Sequence, residues 1–463
     1  MRGNRSCLLR DRTLMFGAIH SEIGEQYDKE LISRCNERTF VRLYIVRESR
    51  NVETHMKRRE VFAGSTAAVL AGMTPWPLNA QTNEHPNLLG YLRTNWSRDL
   101  FSFGTYSYLA RGSGRRHHRQ LAKPIANKVY LAGEASNPNR NSSVHAALES
   151  GRLVAATLLK GSAEKIGIIG AGIAGLSAAQ ILDAAGRDVD VIEARDRIGG
   201  RVNTDTSLGF AADLGATWLH GSDGNPLTEV TDQVGMRKAY SDEFWVVRAN
   251  GRALNDDEVP GWVEEVSNYD NRAGASREAM NEWGYIFTSD YSGEEVLFPD
   301  GYGQIFDAFQ GGYTLSLNSV VTSIDYAGQK VVVSTEENSQ TFDAVIVTVP
   351  LGVLKSGTIS FAPALPEAYQ TAIGVLGYGT LDKIYLQFED VFWDKEPHNI
   401  ITPFNGFDRG YFNNWVNLYP TMGKPVLLCF NGGPAALALS SEPDAVVINN
   451  ARKTILTAYG LPI

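Results

Sequence analysis

The chain has 463 residues, of which 43% are hydrophobic and 21% charged. That is globular composition, which excludes wholesale disorder and at this length suggests two or three domains. No run approaches the roughly 18 unbroken apolar residues of a membrane span, and three cysteines (Cys7, Cys35, Cys429) are too few for a disulfide framework and lack zinc spacing. The net charge of -9 is uneven: residues 1–60 hold 13 Lys+Arg against 9 Asp+Glu, so the remainder carries -13. An acidic body argues against a nucleic-acid partner and mildly favours cationic ligands.

Residues 1–55 show no helical or strand period and read as a poorly specified extension. Residues 56–80 have the anatomy of an export signal. Met56-Lys57-Arg58-Arg59 is a basic head, 63–72 is a small, apolar run, and Leu78-Asn79-Ala80 suits cleavage. The Arg58-Arg59 pair before Val61-Phe62 fits a twin-arginine signal. A short buried helix after a chance Arg pair is the alternative. Translation from Met56 implies export to the periplasm or beyond; otherwise the reading is cytoplasmic.

From Lys165 the pattern is firmer. Lys165-Ile166-Gly167-Ile168-Ile169 is an apolar strand, followed by Gly170-Ala171-Gly172-Ile173-Ala174-Gly175, a helical stretch over 176–185, and a second strand, 188–192, ending at Glu193. This is the strand–loop–helix–strand unit of a dinucleotide fold. Gly170 permits the tight turn, Gly172 lets a pyrophosphate approach the backbone, and Gly175 allows close helix–strand packing. The helix start, with Ala174, offers free amides and a positive dipole end. Glu193, 18 residues after Gly175, can accept ribose hydrogen bonds. Then Glu193-Ala194-Arg195-Asp196-Arg197-Ile198-Gly199-Gly200-Arg201-Val202 adds a second basic, glycine-rich loop that a nicotinamide enzyme does not need.

With that loop the sequence resembles the flavin-containing amine oxidase family. Asp213-Leu214-Gly215-Ala216-Thr217-Trp218-Leu219-His220-Gly221 is similar to the family's loop passing the flavin, and Val347-Thr348-Val349-Pro350-Leu351-Gly352-Val353-Leu354-Lys355 to its return into the FAD domain. Gly379-Thr380-Leu381-Asp382-Lys383 and Val391-Phe392-Trp393 resemble the strand with its flavin-facing lysine. The wording is most similar to the polyamine oxidase and histone demethylase branch. The family's closing motifs stand before the glycine motif: Tyr91-Leu92-Arg93-Thr94-Asn95-Trp96, Gly104-Thr105-Tyr106-Ser107-Tyr108, Tyr130-Leu131-Ala132-Gly133-Glu134-Ala135 and the helix from Ser143-Val144-His145. The order is that of a circular permutation, with a rearranged gene as the competing explanation.

The resemblance implies an α/β fold: a Rossmann-like, glutathione reductase-like FAD-binding domain plus an α+β substrate domain. The expected pieces are 86–160 (permuted C-terminal part of both domains), 165–225 (FAD domain), 226–300 (a shortened helical substrate subdomain), 301–355 (FAD-domain return) and 356–463 (substrate domain). It also implies non-covalent FAD, since Thr105 stands where membrane-bound monoamine oxidases have a linking cysteine. The cofactor residues it carries over are Gly170, Gly172, Ala174, Gly175, Glu193, Ala194, Arg195, Gly200, Arg201, Gly215, Ala216, Thr217, Trp218, Val321, Gly133, Glu134, Ser143 and Val144.

Among catalytic groups, Lys383 is expected to hold a water near flavin N5, with a strand ion pair as the alternative. Tyr106 is expected to form one aromatic wall, while Ser143 replaces the second. His220 and Trp218 are candidates to touch substrate or flavin, and Trp415 reads more readily as core. Arg140 stands where many relatives have Tyr; it is either an entrance cation or a solvated loop residue. Arg115-Arg116-His117-His118-Arg119 reads as a solvated loop, with no metal site. The expected reaction oxidises a small amine, a polyamine first, and passes electrons to dioxygen with release of peroxide. An L-amino-acid oxidase, with Arg140 clamping the carboxylate, and a non-catalytic flavoprotein remnant are the alternatives. The sequence fixes no oligomeric state.

Overall fold

The computed structural model describes residues 86–241, 245–281, 291–395, 399–402 and 406–463. The expected extension (1–55) and export signal (56–80) lie outside the described residues. What is described is mixed α/β, built around two large sheets.

The first sheet has six strands in the order Thr314–Ser316, Asp188–Ile192, Lys165–Ile169, Ala344–Val347, Val129–Leu131, Pro124–Ile125. All neighbours are parallel except the last pair. Ala344–Val347 and Val129–Leu131 are buried at every position, as a parallel sheet covered on both faces requires. The helix Ile173–Ala184 crosses from Lys165–Ile169 to Asp188–Ile192. The helix Val144–Leu158 packs on it, and Gly151 is where the two meet: a Cβ there would lie 2.1 Å from the Ala174 carbonyl oxygen. Leu148, Val154, Ala155 and Leu158 bury against Leu176, Ala178, Ala179 and Leu182 in one cluster.

The second sheet has seven strands in the order Leu88–Arg93, Leu381–Phe388, Val426–Gly432, Asn414–Asn417, Asn399–Ile401, Trp245–Ala249, Arg252–Ala253. The helix Asp444–Ala458 covers one face, seating Val447, Ile448, Ala451 and Ile455 against Ile384, Leu386 and Phe388. Trp415, 1% exposed, belongs to that core and donates its indole N–H to the Phe412 carbonyl at 2.8 Å.

Segment 226–300 differs from the helical cover expected of it. Among its described residues, after the helix Pro226–Val234, it supplies strands Ala239–Ser241, Trp245–Ala249, Arg252–Ala253 and Glu295–Leu297 with short helical turns between. The cause is local: Trp245-Val246-Val247 is a β-forming run, and Asn250 and Gly251, at φ 52° and 83°, make the tight turn that such a pair favours. The basic cluster at 115–119 is a correction too. It is helical, Arg115–Leu121, and His118 is fully buried, its Nδ1 2.6 Å from the Ala135 carbonyl.

Candidate active site

Parallel strands end on one edge, so the register of the six-stranded sheet decides what converges there. Ile169 stands beside Ile192 and Val347, and Val347 beside Leu131. The residues that follow these ends, Gly170 to Gly172, Glu193, Thr348 and Gly133-Glu134, therefore share one edge, where open parallel sheets bind dinucleotides.

The three glycines of the first loop have separate reasons. Gly170 is at φ 108°, and a Cβ there would lie 2.5 Å from Thr348 Oγ1; at Gly175 a Cβ would lie 2.0 Å from the Gly170 carbonyl oxygen. Protein neighbours require both. At Gly172 a Cβ would meet nothing closer than the Gly199 carbonyl oxygen at 4.0 Å, and the helix Ile173–Ala184 begins with no side-chain cap. Bare backbone with free amides and no packing reason for it fits the pyrophosphate of FAD. The Glu193 carboxylate accepts from the amides of Ala171 (2.7 Å) and Arg195 (2.9 Å), one per oxygen, which leaves acceptor capacity for a ribose hydroxyl. Gly200, at φ 58°, faces the Gly172 Cα, and Ala194 lies between Glu193 and Arg195. Val321 begins a strand of a smaller sheet, two residues after Ser319, whose amide donates to the Glu193 carbonyl.

Two ion pairs draw the 86–160 segment onto this edge. Arg195 binds Asp99 in bidentate fashion, at 2.9 and 2.7 Å. Arg201 donates to Glu134 at 2.9 Å and to the Thr105 carbonyl at 2.7 Å. Glu134, 4% exposed, also accepts from the Ser107 hydroxyl (2.6 Å) and the Ser142 amide (2.9 Å), which together with Arg201 hold it below the ordinary carboxylate range against the opposing effect of burial. Ser143 caps the helix Val144–Leu158, accepting from the Ala146 amide at 3.2 Å, so its hydroxyl is engaged in structure rather than open to a ligand.

Lys383 sits on the Leu381–Phe388 strand, 4% exposed. Its Nζ donates to the carbonyls of Asp213 (2.8 Å) and Gly215 (2.5 Å) and to the Thr217 hydroxyl. Burial pushes its pKa down to about 7, opposed by the nearby Asp213 carboxylate. Asp213, fixed by Thr204 Oγ1 (2.5 Å) and the Tyr302 amide (3.0 Å), is itself raised by burial. The 213–217 loop can lie this close because Gly215 has no side chain: a Cβ there would lie 1.8 Å from the Arg201 carbonyl oxygen, which also accepts from the Ala216 amide at 3.0 Å. The Phe430 ring centroid is 5.7 Å from Lys383 Nζ and 5.9 Å from the ring of Trp218, so Phe430 neighbours both.

Tyr106 is on a short strand, Tyr106–Tyr108, paired with Gly377–Gly379. Its hydroxyl donates to the Asn271 carbonyl at 2.7 Å, and burial holds its pKa well above the ordinary phenol value. Three buried polar atoms flank that contact without a partner among the described residues: Asn271 Oδ1 and Nδ2, and Thr380 Oγ1. Next to Asn271 is Asp270, 7% exposed, whose pKa burial pushes up to about 6 despite Arg409 nearby. Asp270 and Asn271 end a π-helical turn, Val266–Asn271, a distortion that collects at functional sites. Sequence reasoning missed both residues, because an Asp-Asn pair within Ser-Asn-Tyr-Asp-Asn reads as a turn.

His220 stands apart from this group. Its side chain is 55% exposed and pairs with Glu295 at 2.6 Å, rather than with Lys383 or Tyr106. Arg140 lies elsewhere too: its guanidinium is 4.1 Å over the Tyr291 ring and 3.7 Å from Glu149, and its buried Nε has no hydrogen-bond partner among the described residues.

A mixed α/β fold, a bare glycine turn at the edge of a parallel sheet, an acceptor carboxylate beside it and a buried lysine of lowered pKa fit a flavin-dependent oxidase. The chain belongs to the flavin containing amine oxidoreductase family, whose model matches residues 33–159, 173–265 and 259–462. It is 31% identical over 355 residues to Polyamine oxidase 2 of Arabidopsis thaliana, covering 61% of this chain and 70% of that protein. To Lysine-specific histone demethylase 2 of Homo sapiens it is 28% identical over 351 residues, covering 62% of this chain and 43% of that protein. Among solved structures, Cyclohexylamine Oxidase from Brevibacterium oxydans IH-35A matches with a TM-score of 0.50 at 18% identity, covering 65% of this chain and 82% of that one, a likeness of fold. The protein is a flavin-dependent amine oxidase, and its cofactor is FAD.

Proposed function

We propose that the substrate is a polyamine, an alkylamine carrying a second positive charge. The observation that carries this reading is Asp270, a buried carboxylate adjoining the residue that holds the Tyr106 hydroxyl. A second ammonium would repay the cost of burying that carboxylate. The Tyr106 ring offers a π face to an alkylammonium. The L-amino-acid oxidase alternative needs a cation free to clamp a carboxylate, whereas Arg140 is stacked on Tyr291 and faces the Glu149 carboxylate at 3.7 Å.

Bound FAD would supply the two-electron oxidation of the carbon beside the amine nitrogen, with dioxygen as the final acceptor. Gly172 and the uncapped helix start would hold its pyrophosphate, with Gly170 and Gly175 shaping the turn, Glu193 would hold its ribose, and Arg201 and the 213–217 loop would lie toward its redox-active end. Lys383, poised near neutrality, holds or releases a proton at Nζ beside that loop.

We further infer a Rossmann-like FAD domain assembled from a circularly permuted chain. In its support, the Val129–Leu131 strand and the Val144–Leu158 helix complete the sheet of the glycine motif although they precede it. Leu88 pairs with Phe388, and the Phe392 ring lies 5.0 Å from Phe388 and 5.9 Å from Tyr459, so residues 88 and 459 are near neighbours in space. The test is anaerobic mixing of the purified flavoprotein with spermidine or with L-leucine. Bleaching by spermidine alone is expected; bleaching by L-leucine alone would overturn the polyamine reading.

A further inference from the structure

The partners of Lys383 are unequal in one respect. Its ammonium has three N–H donors and meets three acceptors: two main-chain carbonyls, of Asp213 and Gly215, and the Thr217 hydroxyl. The free amine has two N–H donors and a lone pair, and a carbonyl cannot donate to a lone pair. A hydroxyl can. Thr217 also has somewhere to turn its proton when it is not needed, since its Oγ1 lies 3.4 Å from the Asp213 carbonyl oxygen.

We infer that Thr217 is a positioning residue that serves both protonation states of Lys383, accepting a hydrogen bond from the ammonium and donating one to the free amine. The lysine then exchanges its proton without leaving its place, and buried Nζ is never left without a matched partner. Among the described residues, no other group hydrogen-bonded to Nζ can reverse in this way. The Asp213 carboxylate is occupied by Thr204 and the Tyr302 amide. The Tyr385 hydroxyl donates to the Asp213 carbonyl at 2.8 Å and also lies in hydrogen-bond reach of Thr217 rather than of Nζ, and the phenols of Tyr385 and Tyr302 are both raised by burial. Asp382, next in the strand and on its opposite face, accepts from Thr94 and the Trp96 amide. Phe430 presents only a ring.

A hydrogen bond to a charged group is roughly twice as strong as a neutral one. Removing the hydroxyl therefore costs the ammonium more than the amine, and the pKa of Lys383 falls. The experiment titrates the flavoprotein labelled with carbon-13 at lysine Cε, the Lys383 resonance being assigned by its loss in Lys383→Met. Thr217→Val and the smaller Thr217→Ala are both expected to lower the midpoint by about one pH unit, and Thr217→Ser to restore it. The pH profile of flavin reoxidation is expected to move by the same amount. An unchanged midpoint in Thr217→Val and Thr217→Ala, or a Thr217→Ser midpoint as low as theirs, would overturn the role. The profile rests on the amine oxidase reading of this site, whereas the resonance titration reads Lys383 without turnover and so separates the two failures.

Discussion

Arg195 and Asp99 are joined by two parallel hydrogen bonds, at 2.9 and 2.7 Å, between residues 96 positions apart in the chain. Their side chains are 15% and 23% exposed, so the pair is largely shielded from solvent. It pins the loop after the second strand of the dinucleotide unit to the segment that carries Thr105 and Tyr106. Asp99→Asn keeps the shape and removes the charge. It is expected to cost about 1–3 kcal/mol of stability and to weaken flavin retention, read together as a lower melting temperature and a lower ratio of flavin to protein absorbance.

Gly151 offers a sharper test of the sheet's assembly. Gly151→Val places two methyls where the Ala174 carbonyl oxygen stands 2.1 Å from a Cβ, in helix backbone that cannot step aside. Overpacking of this kind costs on the order of 1–3 kcal/mol or more, and here it pushes the Ile173–Ala184 helix, whose start is proposed to hold the pyrophosphate. Loss of flavin with retained helical circular dichroism is expected, while Gly261→Ala, at an exposed position with ordinary backbone and open space around it, keeps its flavin.

The low pKa of Lys383 has a consequence for stability. Folding lowers the lysine from 10.5 to about 7. Between those values the unfolded chain holds a proton that the folded chain has released, so stability rises with pH across that window. Below about pH 7 the penalty for the buried charge is present in full. Each pH unit within the window contributes up to about 1.4 kcal/mol. Denaturant melts of wild type and Lys383→Met between pH 7 and 10 test this, the variant lacking that part of the rise.

Asp270→Asn removes the carboxylate proposed to face a second ammonium while keeping its volume. KM for spermidine is expected to rise about tenfold, equivalent to roughly 1.4 kcal/mol, with a smaller effect on a monoamine. Because Asp270 is raised to about 6, wild-type binding of spermidine should strengthen as pH rises through 6, and the variant should not follow it. Equal losses for both amines would remove Asp270 from substrate recognition.

How much of this was legible beforehand depended on the range of the interaction. The unit from Lys165 to Glu193 is written in neighbouring residues, and its strands and helix stand where the apolar runs and glycines place them. The strand alternation around Lys383 fixed the parity of its side chain but not its partners, which come from 166 to 170 positions away. Asp270 was invisible for a related reason: its burial is produced by the segments packed over it, and the residue itself carries no mark. The strand Trp245–Ala249 and its turn at Asn250-Gly251 did carry a local signal, overlooked because the family resemblance pointed to helix there.

The sheet's parallel order also sets a timetable. Leu131 pairs beside Val347, 216 residues further along the chain. At a translation speed of about 5–20 residues per second, that strand emerges roughly 10–40 s before the one it must lie against. Its apolar faces need temporary shelter for that long, so yield in a cell is expected to depend on chaperone supply and growth temperature more steeply than the finished fold's stability would suggest.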